Sequence, residues 1–176
     1  MRTSTIVLCF FVSTLCMAQD LESIRKAFHQ AVMDEEQSRS FHQLFSSEVD
    51  YPPSLTAYQA VSEAMLARVL WNPFSKLSQI HKYQKKMEMA ISSDPDNIEI
   101  RFLRIAIEYN LPAFLGMSEH VEEDLSLIVS NMASVSQLNV DPDYGRYIFY
   151  FIESTQLCSE DEILAMRNSL ARSAVH

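Results

Sequence analysis

Glycine is nearly missing from this chain: Gly116 and Gly145 are the only two. That scarcity removes the loops in which backbone amides wrap a phosphate, and it removes the tight primed turns that close β-hairpins. Nucleotide-binding and all-β architectures are disfavoured at once. Cysteine is scarce as well. Cys9 and Cys16 sit in the N-terminal segment, and Cys158, alone beyond it, has no partner for an internal disulfide. It reads as a small buried hydrophobe, with no basic or His-rich neighbour to activate it. Basic charge is in deficit too: 14 Lys and Arg face 23 Asp and Glu, a net charge of −9. Nucleic acid, itself a polyanion, is not an expected partner.

The vocabulary of catalysis is equally thin. There is no HExxH, no Glu three residues before a His and no GxSxG elbow. Of the histidines at 29, 42, 81, 120 and 176, His120 alone has a ligand-like companion one helical turn away, Asp124. The surrounding "EHVEED" reads as a solvated acidic face. "DPDN" lacks the glycine that a calcium loop needs for its sharp turn. It reads as a helix start whose carboxylates favour the positive end of the helix dipole. No metal and no cofactor are expected.

What is present begins with "MRTSTIVLCFFVSTLCMAQD". One basic residue, Arg2, precedes an apolar or small run from Ile6 to Ala18, then polar Gln19 and Asp20, the outline of a secretory signal peptide. The run is shorter than the roughly 20 residues a membrane-spanning helix requires. Cleavage is expected after Ala18. A lipoprotein anchor is the rival reading, against which bulky Leu8 and Leu15 stand where processing before Cys9 or Cys16 wants a small residue. Residues 1–18 are thus expected to be a leader, and 19–176 a single exported domain, periplasmic or secreted, with no integral membrane segment.

Beyond the leader, capping and proline signals separate a series of helical patterns. The first starts near Asp20 with Leu21, Ile24, Phe28, Ala31 and Val32 on one face, and runs on, bent or broken, towards Phe41 and Phe45. "YPPS" (Tyr51 to Ser54) interrupts the chain. A second helix from about Thr56 carries Tyr58, Val61, Met65, Val69 and Trp71 inward and ends at Asn72–Pro73. A third runs from about Lys76 to Ser92 with Leu77, Ile80, Met87 and Ile91 inward and a basic, solvated "HKYQKK". The fourth lies within "SSDPDNIEIRFLRIAIEYNLPAFLG". Ser118 caps a fifth bearing Val121, Leu125, Ile128 and Met132. "DPD" (Asp141 to Asp143) starts a sixth, and "SEDE" (Ser159 to Glu162) is a capping box opening a seventh through Ile163, Leu164 and Leu170. The expected class is all-α, about seven helices in stacked antiparallel hairpins.

Ala90 and Pro95 have the spacing with which a tetratricopeptide unit ends. Phe102, Ile105, Ala106 and Tyr109 have the mutual spacing with which the next one opens, set one residue too far from Pro95. The chain therefore resembles a degenerate tetratricopeptide-repeat protein. "AISSDPDNIEIRFLR", "NLPAFLG" and "EEDL" together are also similar to a family of small exported bacterial proteins whose role is uncharacterised, over roughly Tyr58 to Ile128. The resemblance implies a helical-hairpin fold that holds a peptide or protein in a concave groove.

Two clusters invite a function. In "YGRYIFYFIE", Tyr144, Tyr147 and Phe151 share one face and read as core, the alternative being a stacking platform for sugar or peptide. On the fourth helix Asn97, Arg101, Arg104 and Glu108 fall on one narrow stripe of an otherwise apolar surface, which marks a helix packed on several sides. The stripe either meets solvent, with Arg104 and Glu108 paired, or lines a groove where guanidinium groups grip carboxylates. Arg101, Arg104 and Asn110 are the candidate partner-binding residues. The expected function is an exported binding or scaffolding protein that contacts a protein or peptide partner in the cell envelope. The alternatives are an envelope enzyme, such as a hydrolase, with a site assembled only in the fold, and a purely structural bundle.

Overall fold

The computed structural model describes residues 21–45, 49–112, 120–135 and 142–173. The expected leader, the caps Asp20, Ser118 and Asp141, Gly116, His176 and the side chain of Met132 lie outside the described residues. Among the described residues there are eight helices and no strand: α1 over 21–33, α2 (Gln37–His42), α3 (Pro53–Val69), α4 (Pro73–Ser93), α5 (Ile98–Glu108), α6 (Val121–Val135), α7 (Pro142–Thr155) and α8 (Glu160–Ser173). The chain is all-α.

The helix count exceeds seven because the first pattern is cut in two. The Asp34 carboxylate accepts the Glu36 N–H at 2.9 Å, and Gln37 N–H reaches the Asp34 carbonyl at 3.1 Å, a turn that ends α1 and starts α2. Two helices also start three residues earlier than their expected positions, each on a proline. Proline at the first helical position surrenders an N–H that would have had no partner there. Thus α3 opens at Pro53, with the Thr56 N–H bonded to the Pro52 carbonyl at 2.9 Å. Likewise α4 opens at Pro73, where the Asn72 side chain accepts the N–H groups of Phe74 at 2.8 Å and Ser75 at 3.4 Å.

The described residues gather into two compact units, one made of the chain up to Asp50 with Tyr58–Tyr83, the other of Tyr51–Ala57 with the chain from Gln84 onward. In the first, every residue from Tyr58 to Met65 is buried, so α3 is enclosed on all its sides. Ala60, Ser62 and Ala64 make that possible by letting neighbours come close. Phe28 of α1 stands edge-on to Tyr58 at 5.7 Å and tilted to Phe41 of α2 at 6.1 Å, and all three are buried. Each such ring contributes about 1.5–3 kcal/mol by leaving water. Two of the polar groups inside are answered locally: the Ser62 hydroxyl donates to the Gln59 carbonyl at 2.7 Å, and Glu63 lies 3.1 Å from His42 Nε2. Three residues expected to point inward do not. Val32, Trp71 and Leu77 are exposed; Trp71 follows the end of α3, and Leu77 lies near the start of α4, ahead of that helix's buried Ile80 and Tyr83.

In the second unit the centre is α5, buried continuously from Ile98 to Ile105. Helix α6 packs on α5, and α8 packs on both α6 and α7. Phe102 of α5 receives the rings of Tyr144, Tyr147 and Phe151 of α7, at 6.2, 5.7 and 5.4 Å, each near perpendicular. The aromatic run is therefore core, and burial pushes the Tyr147 hydroxyl above its ordinary pKa. Tyr150, on the opposite side, is exposed. The expected capping box is formed: Ser159 N–H donates to Glu162 Oε2 at 2.8 Å and Glu162 N–H returns to Ser159 Oγ at 3.3 Å. Of the apolar residues of α8, Met166 is the one that is buried, while Leu164 is exposed.

Between α7 and α8, Gln156 has φ 57°, in the left-handed region where a Cβ crowds the following carbonyl. This is the position after a helix end that glycine usually fills. Gln156→Gly is expected to raise the unfolding free energy by about 0.5–1 kcal/mol. An upward shift of the urea midpoint at unchanged slope would show it.

Candidate functional site

The polar stripe on α5 is built from its N-cap onward. Asn97 is that cap: its side-chain oxygen accepts the N–H groups of Glu99 at 3.1 Å and Ile100 at 3.2 Å, while Nδ2 donates to Asp94 at 2.7 Å. One turn on, Arg101 is 6 % exposed and Arg104 likewise. The solvated stripe is thereby corrected, for both guanidinium groups are turned onto α6. Arg104 grips Asp124 with two parallel bonds, Nε to Oδ2 and Nη2 to Oδ1, both 2.6 Å. Arg101 Nη1 donates to the same Asp124 Oδ1 and to Glu123 Oε1, each at 2.8 Å, and its Nε donates to the Pro95 carbonyl at 2.8 Å.

Asp124 is wholly buried, so "EHVEED" is not solvated throughout: Glu122 and Glu123 face water and Asp124 faces inward. An isolated buried carboxylate or guanidinium would cost several kcal/mol of lost hydration. Here each charge meets an opposite one at hydrogen-bond distance, and the acids sit in the first turn of α6, at the positive end of its dipole. Burial pulls the Arg101 guanidinium down, but its bonds to Asp124 and Glu123 outweigh that and leave it raised. The same Arg101 bond holds Glu123 below its ordinary value of 4.5, although the side chain of Glu123 is mostly exposed.

At the far end of the stripe Glu108 is 7 % exposed, and its Oε2 lies 3.5 Å from His120 Nδ1. The pair suggested by spacing, His120 with Asp124, is not used as a pair: Asp124 serves the arginines and His120 faces Glu108. Among the described residues no three His, Cys, Asp or Glu side chains are gathered as a metal would require. Asn110, the third candidate, is exposed and closes the end of α5, its Nδ2 donating to the Ala106 carbonyl at 2.9 Å. It does not join the arginines. Cys158 is half-buried, and burial, with Glu162 second, pushes its thiol up, so it stays protonated at neutral pH.

A different surface escapes the sequence reading. Every residue from Trp71 to Ser78 is exposed, and within that run Trp71 is 81 % and Phe74 84 % exposed, with Leu77 beside them. The display is fixed from both sides. Arg39 Nη2 donates to the Val69 carbonyl at 3.0 Å at the end of α3, and Asn72 caps the start of α4. Phe74, Leu77 and His81 then recur at helical spacing on one exposed face. The available signal was "NP", since Asn72 before Pro73 is a cap and first position that puts Trp71 outside either helix.

Asp124→Ala would remove the carboxylate that Arg101 and Arg104 share in the core and is expected to cost about 3–5 kcal/mol. Replacing the trio by Arg101→Met, Arg104→Leu and Asp124→Leu together is expected to recover most of that, as urea unfolding at neutral pH would register. Glu123 carries a depressed folded pKa, so its contribution is present above 4.5 and is lost as pH falls through the lower folded value. Glu123→Gln should accordingly flatten the acid limb of a stability–pH profile, by about 0.2–1 kcal/mol given its exposure. Comparison with protein-family models, with curated proteins and with solved structures finds no match to this chain.

Proposed function

We propose that this chain is an exported, all-helical binding or scaffolding protein of the cell envelope, its helices arranged as stacked hairpins of tetratricopeptide type, which acts through the exposed Trp71–Leu77 ridge. The observation that carries the reading is the pair Trp71 and Phe74, held almost fully in water by a capped turn. A chain that encloses α3 and α5 as completely as this one has apolar shelter to offer, and large rings left outside it mark an interaction surface. The densest charged cluster supports the same reading from the opposite side. Arg101, Arg104 and Asp124 are buried and committed to one another, which is a structural use of charge.

Because the ridge is exposed, Trp71→Ala with Phe74→Ala should leave stability within about 0.5 kcal/mol of the parent. Fractionation of cells that export the protein should find the parent with the envelope and the double variant released from it. A parent found wholly free, or a double variant that stays with the envelope, refutes the reading.

A further inference from the structure

The ridge lies in the longest stretch of the chain that has no acid. Residues 64–87 contain no Asp or Glu, yet they carry Arg68, Lys76, Lys82, Lys85 and Lys86, in a protein whose net charge is −9. Lys76 and Lys82 are exposed on the same turns of α4 as Phe74, Leu77 and His81. In the turn before α2, Glu35 is paired with Arg68 at 3.6 Å and Asp34 accepts the Glu36 N–H. Two aromatic rings and a leucine with lysines beside them form the composition that settles at a bilayer surface. The rings enter the boundary between headgroups and acyl chains, and the ammonium groups reach the phosphates.

We infer that the Trp71–Phe74–Leu77 ridge, with Lys76 and Lys82, docks this protein peripherally on an anionic phospholipid bilayer. The inference rests on the ridge being the binding surface and names what it binds. Charge selects the occupant. A second copy paired through the same face would set one acid-free basic block against another and be repelled, whereas anionic headgroups attract this block. Form agrees with charge, for Trp71 and Phe74 project from a turn, and a deformable interface accepts projecting rings without a matching pocket. Among the described residues no helix is long and apolar enough to cross a membrane, so docking through this face is a surface attachment.

Trp71 is the sole tryptophan, so its fluorescence reports on the ridge without a label. The full chain, titrated with phosphatidylcholine vesicles with and without phosphatidylglycerol, should show a blue shift of Trp71 emission that depends on the anionic lipid and is reversed by salt. An apolar N-terminus inserting into the vesicles would be common to every variant, so a difference between variants belongs to the ridge. Lys76→Glu with Lys82→Glu is expected to weaken partitioning about tenfold or more, and Phe74→Ser about tenfold, read by sedimentation with the vesicles. An unshifted emission, or equal binding to neutral vesicles, overturns the inference. If vesicles fail while an envelope protein or peptide crosslinks to the parent and not to the Trp71→Ala, Phe74→Ala variant, the lipid assignment falls and the binding reading stands. If neither depends on the ridge, both fall.

Discussion

Asp124 accepts three hydrogen bonds from two guanidinium groups in a place that water does not reach, and the second unit is organised around that fact. Helix α5 is enclosed along most of its length, so its two arginines must be neutralised where they lie, and α6 does this with Asp124, shared by both, and Glu123 on Arg101. The geometry fixes more than charge. A side-on guanidinium–carboxylate pair tolerates little rotation or sliding, so it sets the register of α5 on α6 where packed isoleucines and leucines alone would allow several. Arg101 extends the hold to the turn before it, because its Nε occupies the Pro95 carbonyl and so ties the α4–α5 connection to the same point.

The first unit solves enclosure differently. Helix α3 is surrounded with hardly any charge, by alternating small residues with Tyr58, Val61 and Met65, and its one buried acid, Glu63, looks to His42 at the edge. Such a helix has no amphipathic side from which to hang a polar surface. The polar and apolar features offered to the outside therefore gather at its end, in the turn that carries Trp71. Full enclosure of the helix and full exposure of the turn are two sides of one arrangement, in which the chain leaves the core abruptly at Val69 and re-enters it only at Ile80.

Much of this was legible in the residues. The helix start at "DPDN", the capping box at Ser159, the break at "YPPS", the buried aromatic run of α7 and the stripe on α5 are all local, and local physics places them. The medium over the stripe was not local. A helical wheel gives the angle of Arg101 and Arg104 about their axis but says nothing about what lies there, and the answer sat 20 residues away. Its trace was nonetheless present: Val121, Asp124, Leu125 and Ile128 follow the spacing of an inward face, so an acid occupies a core position on the helix that follows a helix with two core cations. Trp71 was misplaced for a related reason. Carrying the period of α3 two residues past its end assigns a side to a residue that has none, and Pro73 was the mark that the period had already stopped.

The Asp124 pairing also constrains how this sequence can drift. Losing either arginine leaves the other matched to Asp124, whereas losing Asp124 first leaves two buried guanidinium groups beside the exposed Glu123; the low-cost route to an apolar seam therefore starts at an arginine and not at the aspartate.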